Sequence, residues 1–170
     1  MGSGRRWISR TECGCSRLSR TGAGVPVDAR WEVDARVPVS VDADILTARL
    51  RGRALAARLG FSSSEQAVVA TAISEVARNI LEYARRGEIT LATILADRRR
   101  GLLIIAEDRG PGIADVAQAM QDGYSTSGGL GLGLPGTRRL MDEFSVISVP
   151  ARGTTVRMVK WTAAPWRPLE

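Results

Sequence analysis

Two oxygen-bearing side chains four residues apart open the chemical reading. In the stretch SEVARN, Glu75 and Asn79 stand at i and i+4, a spacing that projects both from one face of a helix. A carboxylate there can act as a general base, and a carboxamide oxygen as a ligand for a hard cation such as Mg²⁺. An ordinary solvated helix face has the same spacing. In EDRGPG, Asp108 closes an apolar run and is followed by Gly110 and Gly112. A carboxylate at a strand end can accept a hydrogen bond from an adenine amino group, and the glycines let backbone approach a flat base. A simple Gly-Pro turn uses the same letters. In GTTV, Gly153 and Thr154 open a β-branched run, where the hydroxyl can support a base or a water, or merely follow a hairpin turn.

A fourth stretch, STSGGLGLGLPG (125–136), contains G-x-G-x-x-G at Gly131, Gly133 and Gly136. A dinucleotide fingerprint must follow a strand and be followed by an acidic residue about 20 positions on. QDGYSTS precedes this one, and no acidic residue lies between Glu143 and Glu170. A P-loop needs Gly-Lys-Ser/Thr, yet Lys160, the only lysine, is followed by Trp161. The strand lysine and H-R-D loop of eukaryotic-type protein kinases are also missing. What remains is a loop whose backbone N–H groups and helix N-terminus can hold phosphate without any lysine, with Pro135 suited to the helix's first turn. A flexible loop is the alternative.

Composition narrows the classes. There are 170 residues and a formal charge of +6, with 24 basic residues of which Lys160 alone is lysine. Few aromatics accompany the arginines, so no nucleic-acid surface is expected. No apolar run approaches the ~20 residues of a membrane helix, so no membrane is expected as partner. The two cysteines, Cys13 and Cys15, have neither zinc-site nor disulfide-framework spacing, and a cytoplasmic setting is the expectation. Histidine is absent, which removes Ser-His-Asp, His-zinc and phosphohistidine chemistry from the chain.

The elements that must position these residues follow from pattern. Residues 1–30, rich in Gly, Ser, Arg and Thr, read as a disordered extension whose deletion leaves stability nearly unaltered. Residues 31–162 read as one domain and 163–170 as a tail. A strand is expected at Val37–Val41 and a helix capped by Asp42 up to Gly60. A second, longer helix begins with the capping-box pair Ser62 and Glu65 and continues to Ala84, with Val69, Ile73, Val76, Ile80 and Ala84 as its apolar stripe. Strands follow at 89–95 and 102–107, then a short helix DVAQAM, a helix from Pro135 to Asp142, and a terminal hairpin around Arg152-Gly153. The order β-α-α-β-β-(loop, α)-α-β-β predicts an α+β two-layer sandwich, its sheet mixed and mostly antiparallel with helices on one face.

Taken in order, these four motifs closely resemble the GHKL ATP-binding domain shared by gyrase, Hsp90 chaperones, histidine kinases and MutL. SEVARNI, EDRGPGI, GYSTSGGLGLGLPG and RRLMDEF narrow the resemblance to the small serine kinases of bacterial partner-switching systems, the anti-sigma-factor kinase family, and among these to the stressosome switch kinases. The resemblance implies that ATP and Mg²⁺ are bound, that Glu75 is the general base and that Asn79 holds the metal. It implies that Asp108 reads the adenine amine, Gly110 and Gly112 line the base, and Thr154 completes the pocket. Ser127, Gly129, Gly131, Leu132 and Gly133 would form the lid over the phosphates. The implied partners are a STAS-domain antagonist as serine substrate, a PP2C-type phosphatase and a sigma factor. An anti-sigma factor that sequesters a sigma subunit is the alternative function on the same fold.

Overall fold

The computed structural model describes residues 8–9, 29–121 and 133–165. In chain order the elements are β1 (Ile8–Ser9), β2 (Arg30–Val39), α1 (Asp42–Arg58), α2 (Ser63–Asn79), a π-helical turn (Ile80–Ala84), β3 (Gly87–Ala96), β4 (Arg99–Asp108), α3 (Val116–Ala119), α4 (Gly133–Leu140), β5 (Glu143–Val149) and β6 (Gly153–Pro165). The strands form one sheet in the order β1-β2-β3-β4-β6-β5. The α+β sandwich is as expected, but every described strand pair is antiparallel and the anticipated parallel pairing is not found among the described residues.

The helix layer is built on local signals. Ser62 caps α2: its Oγ accepts from the Glu65 N–H at 3.3 Å while Glu65 Oε2 accepts from the Ser62 N–H at 2.8 Å. The start of α1 departs from expectation. Asp42 is already helical and Val41 holds the cap position; Asp44 folds back instead, its Oδ2 accepting from the N–H groups of Ser40 at 2.8 Å and Val41 at 3.0 Å. Those backbone donors hold the Asp44 carboxyl below its ordinary range. The second helix is also corrected. The α-helical hydrogen bonding expected through Ala84 ends at Asn79, and the chain widens into the π-turn.

β2 begins at Arg30, well before the expected strand. A bulge at Asp34 lies between the pairs Val33↔Ala92 and Ala35↔Leu91, and such an extra residue reverses which face later side chains meet. Trp31 therefore packs with Ala92 and Ile94 on one sheet face, while Val37 and Val39 join Ile73, Val76, Leu91 and Ile104 under the helices. Ile73, Leu91, Leu102 and Ile104 are fully buried there, and α4 adds Leu134 and Leu140 to the same core.

Candidate nucleotide site

The site is assembled at one end of β4. Asp108, the last residue of that strand, accepts two backbone hydrogen bonds on the same oxygen: Oδ1 takes the Gly110 N–H at 2.8 Å and the Thr154 N–H at 3.2 Å. The first turns the chain sharply out of β4; the second ties it to the start of β6. Neither reaches Oδ2. Charge-assisted bonds of this kind hold a carboxylate in a fixed orientation.

Further stitches bind the loop 109–113 to the β5–β6 hairpin. The Ala151 N–H donates to the Pro111 carbonyl at 2.7 Å, and the Ile113 N–H to Ser148 Oγ at 2.7 Å. Ser148 Oγ lies 2.9 Å from Thr154 Oγ1. Gly112 (φ +72°) passes against the Val149 carbonyl. Asp108, Gly110, Gly112 and Thr154, distant in sequence, thus converge on one loop-and-hairpin unit.

Close backbone approach explains two of the glycines. A Cβ on Gly110 would lie 2.6 Å from the Ala84 Cβ, and one on Gly153 would lie 2.0 Å from the Asp108 carbonyl oxygen, with φ at +102° besides. Ala84 ends the π-turn, so the segment after Asn79 is seated directly on the loop after Asp108. Single π-turns within helices recur at functional sites.

Glu75 and Asn79 come from α2, on the helix that leads into this turn. Glu75 is 7% exposed, one of the few buried polar side chains among the described residues. Its Oε1 is 3.2 Å from Arg78 Nη1, which lies one turn further on. A carboxylate this deeply buried costs desolvation that a place on a solvated helix face would not require. Asn79 is half-buried at the last α-helical position.

Of the expected lid, Ser127, Gly129, Gly131 and Leu132 lie outside the described residues. Gly133 opens α4 with φ +50°, its carbonyl accepting from Thr137 Oγ1 at 2.7 Å, and Pro135 falls in the first turn of α4. Sequence reasoning missed Ser148, Ala84 and Arg78. Ser148 is one polar position in an alternating strand, and Ala84 one apolar position in a stripe, so neither carried a signal. Arg78 stands inside SEVARN at i+3 from Glu75, a spacing that does predict the ion pair.

This fold and this site define a histidine kinase-like ATPase domain, and the family model of that description matches residues 39–160. Over 125 residues, 74% of the chain, it is 52% identical to "Serine/threonine-protein kinase RsbT" of Bacillus subtilis, spanning 94% of that protein. The chain belongs to the RsbT-type serine/threonine kinases within the histidine kinase-like ATPase family, and ATP is the ligand of its domain class. It is also 37% identical over 114 residues to an anti-sigma F factor of Caldanaerobacter subterraneus, covering 64% of this chain and 78% of that one. The solved RsbU and RsbW domains of Rv1364c from Mycobacterium tuberculosis align with a TM-score of 0.49 at 22% identity, over 79% of this chain and 35% of that one.

Proposed function

We propose that the chain is an ATP-dependent protein-serine kinase of a bacterial partner-switching pathway, acting in the cytoplasm. It would phosphorylate a serine on a STAS-domain antagonist and then engage a PP2C-type phosphatase, so that partner exchange controls a sigma factor. The observation that carries this reading is the 52% identity over 94% of an RsbT kinase, joined to a buried Glu75 on the helix whose following π-turn rests on the loop after Asp108.

The roles follow from the chemistry of each group. Glu75 accepts the proton of the substrate serine as its oxygen bonds to the γ-phosphorus and the bond to ADP breaks. Arg78, its Nη1 donating to Glu75 Oε1 at 3.2 Å, orients the carboxylate. The half-buried Asn79 carboxamide suits Mg²⁺, a cation that takes one or two protein oxygens and completes its shell with phosphate and water. When bound, the ion neutralises charge on the phosphates. Asp108 accepts the adenine amine, Gly110 and Gly112 let the base lie against backbone, and Thr154 with Ser148 closes the pocket. Ser127, Gly129, Gly131, Leu132 and Gly133 cover the phosphates with N–H donors.

The test is incubation of the protein with labelled ATP and STAS-domain proteins from the same genome. Label on one serine of such a protein, dependent on Glu75, supports the kinase; no transfer to any of them refutes it. The similarity to anti-sigma F factors favours a second reading, a sigma-sequestering module. A pull-down that recovers a sigma subunit, with no STAS protein or phosphatase, would select it.

A further inference from the structure

Three polar groups meet on the Ser148 hydroxyl, and together they fix where its proton lies. The Ile113 N–H reaches Oγ at 2.7 Å, the Gly153 carbonyl lies 3.2 Å away and Thr154 Oγ1 2.9 Å away. A serine hydroxyl has one proton and two lone pairs. Ile113 can only donate, so it takes one lone pair. The Gly153 carbonyl can only accept, so it takes the proton. One lone pair is left for Thr154, and that bond forms only if the threonine hydroxyl is the donor. Were Ser148 to donate to Thr154 instead, the Gly153 carbonyl would face a lone pair. All three bonds are made in a single arrangement, the one that satisfies every part-buried group.

With its proton committed to Ser148, Thr154 Oγ1 has only lone pairs to offer a ligand. The Thr154 N–H is committed as well, to Asp108 Oδ1 at 3.2 Å, and Asp108 Oδ2 receives neither of the two backbone bonds that hold its carboxylate. The base pocket proposed above, on which this inference rests, therefore offers two acceptors and no hydroxyl donor. An exocyclic amine suits such a pair because it carries two hydrogens. A 6-oxopurine does not: its N1–H can serve one acceptor, but its carbonyl oxygen is left against the other. We propose that Ser148 is a specificity-determining positioning residue, which holds the Thr154 proton away from the base and so makes the pocket select 6-aminopurine over 6-oxopurine triphosphates. Without the Ser148 hydroxyl, the Thr154 proton is free to turn onto a carbonyl, and the pocket loses its preference.

The test is calorimetric titration of the full-length chain with Mg-ATP and with Mg-ITP, whose base carries the carbonyl in place of the amine. The parent should bind ATP more tightly than ITP, and Ser148→Ala should cut that affinity ratio by about tenfold or more. A merely structural loss, the loosened tie to Ile113, would weaken both nucleotides alike and leave the ratio where it was, which overturns the proposal. Thr154→Val supplies a variant that leaves Ser148 in place: it should cut the ratio to a similar extent, and unchanged discrimination there also overturns the proposal. In that background Ser148→Ala should move the ratio no further, because Ser148 acts through Thr154; a second tenfold change would show that it acts otherwise. ATP binding with an unmoved ratio removes the role of Ser148 and leaves the nucleotide site standing. Binding of neither nucleotide by the parent takes away the site and the proposal together.

Discussion

Replacing Asp108 by Asn separates the fold of the nucleotide loop from its chemistry. The Asn Oδ1 can still accept from Gly110 and Thr154, the two donors at 2.8 and 3.2 Å, so the turn and its tie to β6 survive. What changes is the second position: an acceptor oxygen becomes an NH₂ donor, which under the proposed reading would meet the adenine amine donor to donor. A hydrogen bond to a charged group contributes ~1.5–3 kcal/mol, and stranding a buried donor adds to the loss. Affinity for ATP should therefore fall by about tenfold to a hundredfold, with the thermal midpoint little changed because Oδ1 keeps its bonds. Calorimetric titration with ATP and a thermal melt read the two quantities separately. If affinity stays within about twofold of the parent while the melt is also unchanged, Asp108 does not read the base. A collapse of the melt would instead mean that the carboxylate's charge, more than its shape, holds the loop.

Glu75→Gln should keep ATP affinity and lose phosphoryl transfer by about 10²-fold or more, the usual contribution of a positioned base, in a single-turnover assay; unchanged transfer would remove Glu75 from the chemistry. Gly153→Ala should cost about 2–4 kcal/mol by urea unfolding, combining positive-φ strain with a Cβ forced onto the Asp108 carbonyl. Gly60→Ala, also at positive φ but with open space around the added Cβ, should cost only ~1 kcal/mol. Ser62→Ala should cost ~1 kcal/mol as a lost helix cap, seen as a lower urea midpoint. Glu65 and Asp44 test acid sensitivity. The Ser62 hydroxyl and N–H hold the Glu65 carboxyl below its ordinary 4.5, and the Ser40 and Val41 N–H groups hold Asp44 below its ordinary 3.8. A depressed folded pKa contributes stability above the unfolded value and loses it as pH falls through the folded one. The urea midpoint should therefore drop as pH passes below these values, and less steeply in Ser62→Ala.

How much of this was legible depended on whether the signal was local. Ser62 and Glu65 specify a helix start within four residues, and the structure uses both as expected. The positive-φ pair Asp97 and Arg98 turns β3 into β4 within the gap between the expected strands 89–95 and 102–107, and β4 begins earlier than expected, at Arg99. The order and spacing of E-x-x-x-N, D-x-G-x-G and G-T were equally readable, because each is written inside one short stretch. Long-range effects were not readable. The bulge at Asp34 is fixed by Thr93, whose N–H and hydroxyl donate to the Asp34 carboxylate, and by Arg58 on α1. Nothing within RWEVDARVPV alone marks where its odd-numbered side chains change faces.

The π-turn makes the same point about the site. Ile80 and Ala84 continue the apolar period of α2, so the local pattern favours an unbroken helix. The winding changes because Ala84 must come to rest on Gly110, a contact between residues 26 positions apart in chain order. A methyl group on Gly110 would meet both the Cα and the Cβ of Ala84. The glycine that reads in sequence as room for a base is therefore also the seat of the segment following Asn79. One residue carries two constraints, and only the second couples the helix bearing Glu75 and Asn79 to the strand bearing Asp108. A substitution at Gly110 should for that reason disturb both ends of the site together, whereas one at Gly112, which meets Val149 and Pro150, should disturb the hairpin side alone.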